Sequence, residues 1–144
     1  MILASIGRSV SDLKVHLVLV TKYRRKAFTS VMLGRLNVVM QELLEKWDCK
    51  LIEFNGVRVA SRREDDHVHL LFQYHPDVEL SKLVNNLKSV SSRKLRQEFA
   101  EHLESFYWKD VFWSGSYFVA SCGGITVSTL RRYIEAQESP TEST

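Results

Sequence analysis

The stretch EDDHVHLLFQYHP, residues 64–76, decides how this chain folds. From Asp65 to Tyr74 it reads as a strand. Side chains of a strand alternate between faces. Val68, Leu70, Phe72 and Tyr74 therefore share one face, and that apolar set should pack on helices. His67, His69, Leu71 and Gln73 share the other face, which is left for a ligand, a partner or a further helix.

The flanking segments supply the rest of a sheet and its cover. Upstream, LKVHLVLVTKY (13–23) is rich in β-branched and apolar residues and reads as a buried strand. TSVMLGRLNVVMQELLEKW (29–47) reads as a helix, with Leu33, Leu36, Met40, Leu43, Leu44 and Trp47 at helical spacing and Thr29 or Ser30 as its cap. CKLIEFNGVRVAS (49–61) reads as a strand, and Asn55-Gly56 marks a bend, bulge or turn within it. Downstream, residues 80–104 read as one long helix, with Leu80, Val84, Leu87, Leu95, Phe99 and Leu103 toward the core. VFWSGSYFVAS (111–121) reads as a fourth strand, irregular at Gly115. TVSTLRRYIEAQ (126–137) reads as a final helix.

The order strand, helix, strand, strand, helix, strand is that of an α+β, ferredoxin-like (RRM-like) βαββαβ antiparallel sheet with helices on one face. The strands at 13–23 and 65–74 should be central and adjacent, and the extra C-terminal helix follows the sheet. With 144 residues and 44% hydrophobic content, the chain suits a single domain, 1–144. Residues 1–12 read as an N-terminal extension, and the polar ESPTEST (138–144) as a disordered tail. The net charge of +3 does not by itself argue for nucleic acid, so clustering of the basic residues decides. Cys49 and Cys122 form no C-x-x-C pattern, which argues against a zinc knuckle or a disulfide framework. No secretory leader is evident and no run approaches a membrane span, so a reduced, cytoplasmic setting is expected and no membrane partner.

Spacing makes His67 and His69 co-facial and lets both imidazoles reach one cation. It equally allows two solvated surface histidines. Leu71 stands where a third co-facial histidine would complete a nucleotide-hydrolase triad, which disfavours that class. His16 reads as a hydrogen-bonded sheet histidine, His75 as a loop residue and His102 as a surface residue. Two neutral imidazoles with an added oxygen ligand suit Mg²⁺ or Mn²⁺. Acidic residues at 64–66 could raise the basicity of the histidines from behind, although a solvated turn describes Glu64 and Asp65 better. The final helix places Tyr133 and Gln137 one turn apart, on one face. Tyrosine can act as a covalent nucleophile, and a glutamine amide can offer a metal its oxygen. Taken alone, the pair also fits the polar decoration of an amphipathic helix.

Taken together, HLVLVTKYRRKAF, DDHVHLLFQY, LSKLVNNLKSVSSRKLRQEF, FWSGSYFVASCGG and RRYIEAQ resemble the single-tyrosine HUH transposases (TnpA-like) of the smallest bacterial and archaeal insertion sequences, from about residue 13 to 137. That resemblance assigns His67, Val68 and His69 to the family's His-hydrophobic-His motif, Tyr133 to its nucleophile and Gln137 to its glutamine metal ligand. It implies a transposase that cleaves and rejoins single-stranded DNA at hairpin-bearing element ends. The intermediate would be a 5′-phosphotyrosine, with Mg²⁺ or Mn²⁺ assisting. It also implies a homodimer in which the tyrosine helix can act in trans. One departure is WSGS (113–116), where the family commonly has Trp-Ser-Pro-Ser.

Basic residues cluster as a DNA-binding protein requires: Lys22, Arg24, Arg25 and Lys26 around Tyr23, then Arg62 and Arg63, then Lys88 and Arg93 on the long helix, where Lys82, Lys94 and Arg96 also lie. Tyr23, Phe112, Trp113 and Tyr117 are candidates to stack on unpaired bases, with a core role equally open for Phe112 and Trp113. Gly123 and Gly124 read as a hinge before the tyrosine helix, or as a plain turn. The rival reading is a non-catalytic or domesticated RRM-like nucleic-acid-binding protein, although aromatic RNP signatures are absent from the first and third strands.

Overall fold

Strands and helices fall where the side-chain periods change between two and 3.6 along the chain. The computed structural model describes residues 4–6, 9–11, 13–56, 66–107 and 110–121. The elements are β1 (Ala4–Ile6), β2 (Ser9–Ser11), β3 (Leu13–Thr21), α1 (Ser30–Lys46), β4 (Lys50–Gly56), β5 (His67–Tyr74), α2 (Leu80–Glu98), α3 (Ala100–Leu103) and β6 (Trp113–Ser121). Strands β3 to β6 form a single antiparallel sheet in the order β4-β5-β3-β6. β3 and β5 are central and adjacent, as the ferredoxin-like arrangement demands. The segment read as an extension carries the separate β1-β2 hairpin, with Ser5 opposite Val10. Its strands are three residues each, too short for a periodicity signal. The final helix, the Gly123-Gly124 segment, Arg62, Arg63 and the tail all lie outside the described residues.

The helix-facing side of the sheet is the predicted apolar set. Val15, Leu17 and Leu19 of β3 and Val68, Leu70 and Phe72 of β5 are buried against Met32, Leu36, Met40 and Leu44 of α1 and Leu83, Leu87 and Leu95 of α2. Each such side chain stabilises the fold by roughly 1.5–3 kcal/mol relative to exposure. Thr29 caps α1 by accepting a hydrogen bond from Met32 N at 3.1 Å. The chain leaves α1 through Asp48, at φ 57°, a left-handed position that a short polar side chain tolerates. The long helix is not continuous. Phe99 takes φ −124° and ψ 37°, which separates α2 from α3.

Two irregularities depart from or refine the sequence reading. The bulge in β4 lies at Ile52, where the register jumps between Leu51 and Glu53, and Asn55 and Gly56, the last described residues of the strand, stay paired with His69 and Val68. In β6 the expected irregularity is present. Leu19 pairs with Tyr117 and Thr21 with Trp113, so Ser114, Gly115 and Ser116 stand opposite Val20 alone. A Cβ at Gly115 would meet nothing within 4 Å. The strand's bulge therefore does not depend on the absence of a side chain there.

Cys49 is buried behind α1, with its Sγ 3.4 Å from the Trp47 carbonyl. Burial, aided by the Asp48 charge, pushes its thiol up from 9.0 to about 11. The thiolate is the reactive form. Cys49 is therefore expected to resist iodoacetamide at about pH 8 and to be labelled only after denaturation, as read by peptide mapping. The sign of the linkage follows. The unfolded chain loses this proton first, so the contribution is intact below pH 9 and stability falls as pH rises from 9 toward 11.

Candidate active site

β5 carries His67 and His69 on the sheet face away from the helices. Pairing with β3 sets His67 opposite Val20 and His69 opposite Val18. Val18 and Val20 pack with Phe118 and Ala120 of β6 into a small apolar floor beside them. Around the histidines this second face is closed to solvent. Each histidine is only 4% exposed, and Val18, Val20 and Gln73 are similarly buried. The solvated-histidine alternative therefore does not hold.

Buried polar rings need partners. His67 Nδ1 lies 2.8 Å from Asp66 Oδ1. A carboxylate there suits an Nδ1 proton, which would leave the Nε2 lone pair for a ligand role. Asp66 is 2% exposed, and its other oxygen, Oδ2, accepts from Arg24 Nε at 2.9 Å. Burial alone would raise the Asp66 carboxyl. The hydrogen bond from His67 and the charge of Arg24 outweigh it and hold the group below its usual value. The main chain is also fastened: Asp66 O accepts from Thr21 N at 2.9 Å and lies 3.0 Å from Thr21 Oγ1.

His69 has a different partner. Its Nε2 is 2.7 Å from His16 Nδ1, and the two rings stack at 4.9 Å with 20° between their planes. His16 is thus the hydrogen-bonded sheet histidine that the sequence suggests, but its partner is the second histidine of the motif itself. The antiparallel register makes this contact, because His16 pairs with Leu71, two residues along from His69. Adjacency of β3 and β5 alone does not disclose the contact; their register does.

The donor set fits a divalent cation. It offers two imidazoles on one face: His67 is backed by a carboxylate in the arrangement that raises ligand basicity, and His69 can offer Nε2 once its contact with His16 opens. Among the described residues no group of three or more His, Cys, Asp or Glu side chains could hold a metal ion. A third ligand must come from elsewhere. Gln137, expected in that role, and Tyr133, expected as nucleophile, lie outside the described residues.

The basic cluster divides. Arg24, read as a phosphate contact, turns inward to Asp66 and its side chain is 14% exposed. Arg25 and Lys26 face solvent, and Lys22 is half-buried. The nitrogen of Lys22 and the guanidinium of Arg25 sit 5.4 and 5.8 Å from the Tyr23 ring centroid. Lys88 donates to the Ser114 and Gly115 carbonyls at 2.8 and 3.3 Å, and its nitrogen lies 5.5 Å from the Tyr117 ring centroid. Burial and then the Lys22 charge lower its ammonium pKa. Lys22, Tyr23, Arg25, Lys88 and Tyr117 thus form a basic and aromatic patch where β3 ends and β6 bulges, the same end of the sheet as His67. Arg93 is exposed farther along α2. Lys82 pairs with Glu79 at 3.7 Å on a solvated face, and Arg96 with Asp110 at 3.6 Å.

Phe112 and Trp113 are core, not stacking platforms. They pack on each other and on Phe28, and Trp113 Nε1 donates to Ser91 Oγ at 3.0 Å. His102 is likewise engaged, its Nε2 lying 2.7 Å from the Ala27 carbonyl.

These features define an α+β domain whose sheet carries a candidate metal centre on one face and a basic patch at the same end. The chain belongs to the IS200-like transposases: the family model described as "Transposase IS200 like" matches residues 9–137. The match spans His67, His69, Tyr133 and Gln137. The chain is 27% identical over 133 residues to the transposase for insertion sequence element IS200 of Salmonella typhimurium, covering 92% of this chain and 82% of that one. It is 26% identical over 129 residues to the ISDra2 transposase TnpA of Deinococcus radiodurans, covering 89% and 86%. A crystal structure from Deinococcus radiodurans, of a chain described as a transposase, superposes with a TM-score of 0.80 at 26% identity, covering 94% of this chain and 99% of that one. Among the described residues no helix is long and apolar enough to cross a membrane.

Proposed function

We propose that this transposase cleaves and rejoins single-stranded DNA at hairpin-bearing ends of its element through a 5′-phosphotyrosine at Tyr133. The observation that carries the reading is the buried pair of His67 and His69, the first backed by the Asp66 carboxylate, in a chain whose family match continues through Tyr133 and Gln137. In the step itself the Tyr133 oxygen attacks the phosphorus and loses its proton. The bond from phosphorus to the 3′ oxygen breaks, and that oxygen takes up a proton to leave as a 3′-OH. Attack of a different 3′-OH on the phosphotyrosine reverses the chemistry and joins a new strand, with no ATP consumed.

His67 and His69 would hold Mg²⁺ or Mn²⁺, with Gln137 as the third protein ligand. When bound, such an ion polarises a phosphoryl oxygen and stabilises developing charge. The chain's own residues do the rest. Asp66 fixes the His67 ring, and His16 would release Nε2 of His69 to the ion. Lys22, Arg25, Lys26, Arg62, Arg63, Lys88 and Arg93 would track the DNA backbone, while Tyr23 and Tyr117 offer faces to unpaired bases. Gly123 and Gly124 would let the tyrosine segment change position between cleavage and strand transfer. A homodimer, with the tyrosine of one subunit completing the site of the other, belongs to the same proposal.

The test uses single-stranded oligonucleotides copied from the DNA flanking the coding sequence, hairpins included. With Mn²⁺ present, the full chain should yield a product with an extendable 3′-OH and a 5′ end that runs with the protein in SDS. Neither product should form from the same sequence as duplex. Duplex cleavage, or cleavage without a protein-linked end, would refute the reading.

A further inference from the structure

We propose that Arg24 is a positioning residue for the metal site, acting on His67 through Asp66; this rests on the reading of His67 as a metal ligand. Its sequence context, Thr-Lys-Tyr-Arg-Arg-Lys, invites a phosphate role for all four cations. The structure separates them. Arg25 and Lys26 face solvent, whereas Arg24 reaches a carboxylate that is 2% exposed. That carboxylate bridges: Oδ2 takes Arg24 Nε at 2.9 Å, and Oδ1 faces His67 Nδ1 at 2.8 Å. One group therefore ties a guanidinium to the back of a ligand ring.

The turn that delivers Arg24 is held in an unusual shape. Tyr23 and Arg24 both adopt positive φ, 59° and 52°. For residues with side chains this left-handed conformation is disfavoured, and two in succession are uncommon. The surroundings fasten it from several sides. Lys22 N donates to the Phe112 carbonyl at 2.7 Å, and Tyr107 Oη donates to the Lys22 carbonyl at 3.0 Å. Thr21 Oγ1 lies 2.7 Å from the Arg25 carbonyl. Thr21 N also donates to the Asp66 carbonyl, so the turn is tied to the main chain of the residue that bears the carboxylate. A surface contact to DNA phosphate needs no such framework; a fixed guanidinium behind a buried carboxylate does.

A buried carboxylate without its cation is costly and turns toward water or another donor. His67 would then lose the acceptor that sets its tautomer and ring rotation. Partners behind a ligand typically tune metal affinity by roughly 10–100-fold.

The experiment measures Mn²⁺ binding to the DNA-free full chain by electron paramagnetic resonance, and the His67 tautomer by ¹H–¹⁵N correlation spectroscopy, for the parent, Arg24→Met, Arg24→Lys and His67→Ala. The expected result is that Arg24→Met weakens Mn²⁺ binding about 10–100-fold and that His67 loses its single Nδ1–H signature. Arg24→Lys, which keeps a cation, should restore part of both and stands in if Arg24→Met does not fold. If His67→Ala weakens Mn²⁺ binding but neither Arg24 variant changes affinity or tautomer, the proposal is overturned while the metal site stands. The proposal is equally overturned if the Arg24 variants only lower the salt dependence of DNA binding, since that marks a phosphate contact. If His67→Ala leaves Mn²⁺ binding unchanged, the metal reading itself fails, and with it the ground for this one.

Discussion

Replacing Tyr133 with phenylalanine is expected to abolish covalent attachment of single-stranded DNA while leaving hairpin binding intact. The substitution removes one oxygen and keeps the ring, so packing and stacking change little. The chemistry changes completely, because the proposed intermediate is a bond between that oxygen and phosphorus. Removing a nucleophile that acts as a unit with its site typically costs roughly 10⁴-fold or more in turnover. Cleaved product should fall to background on a denaturing gel, and hairpin affinity by gel shift should stay within about twofold of the parent, since no phosphate contact is lost. A Tyr133→Phe chain that still forms the adduct would move the nucleophile elsewhere.

His67→Ala and His69→Ala are expected to lower cleavage by about 10³-fold each at saturating DNA, by loss of a stabilisation worth several kcal/mol. The two should not behave alike in other respects. His67→Ala strips Asp66 of a hydrogen-bond partner but leaves its ion pair with Arg24. His69→Ala removes the ring on which His16 stacks and opens space on a face that is otherwise buried. Single-turnover cleavage across a Mn²⁺ titration checks both. Partial recovery at high Mn²⁺ fits a weakened site, whereas parental activity in either variant contradicts the assignment.

The sheet is legible in the sequence because its central strands are long and their faces chemically distinct. The alternation of Val68, Leu70 and Phe72 with His67, His69 and Leu71 fixes which face meets the helices, since a slip by one residue would bury both histidines among them. The strand order follows from the succession of elements. The bulge at Ile52 is not legible, since Asn55-Gly56 carries the stronger local turn signal while cross-strand pairing decides the outcome. The break at Phe99 is hidden for a similar reason: apolar spacing continues through it, and only the backbone angles show it.

For the site, the sequence discloses the candidate ligands but not what holds them. Two histidines two apart on a strand must share a face. That His16 stacks on His69 requires the register of β3 against β5. That Arg24, of four neighbouring cations, turns inward requires the positive φ of Tyr23 and Arg24 after Thr21. By composition the members of the TKYRRK cluster are equals, and tertiary structure separates them. Phe112 and Trp113 show the reverse case, where aromatic residues suited to stacking are consumed by the core.

A tyrosine brought to the histidine pair should become covalently joined to DNA, and mapping the trapped adduct reads this out. The full chain is incubated with a hairpin-bearing single strand and Mn²⁺, quenched in SDS, and digested with trypsin and nuclease. Mass spectrometry then locates the residual nucleotide. The expected product is a nucleotide 5′-phosphate on Tyr133, formed with Mn²⁺ and absent when EDTA is added first. A nucleotide on any other residue, or cleaved DNA with no protein-bound nucleotide at all, would contradict the proposed chemistry.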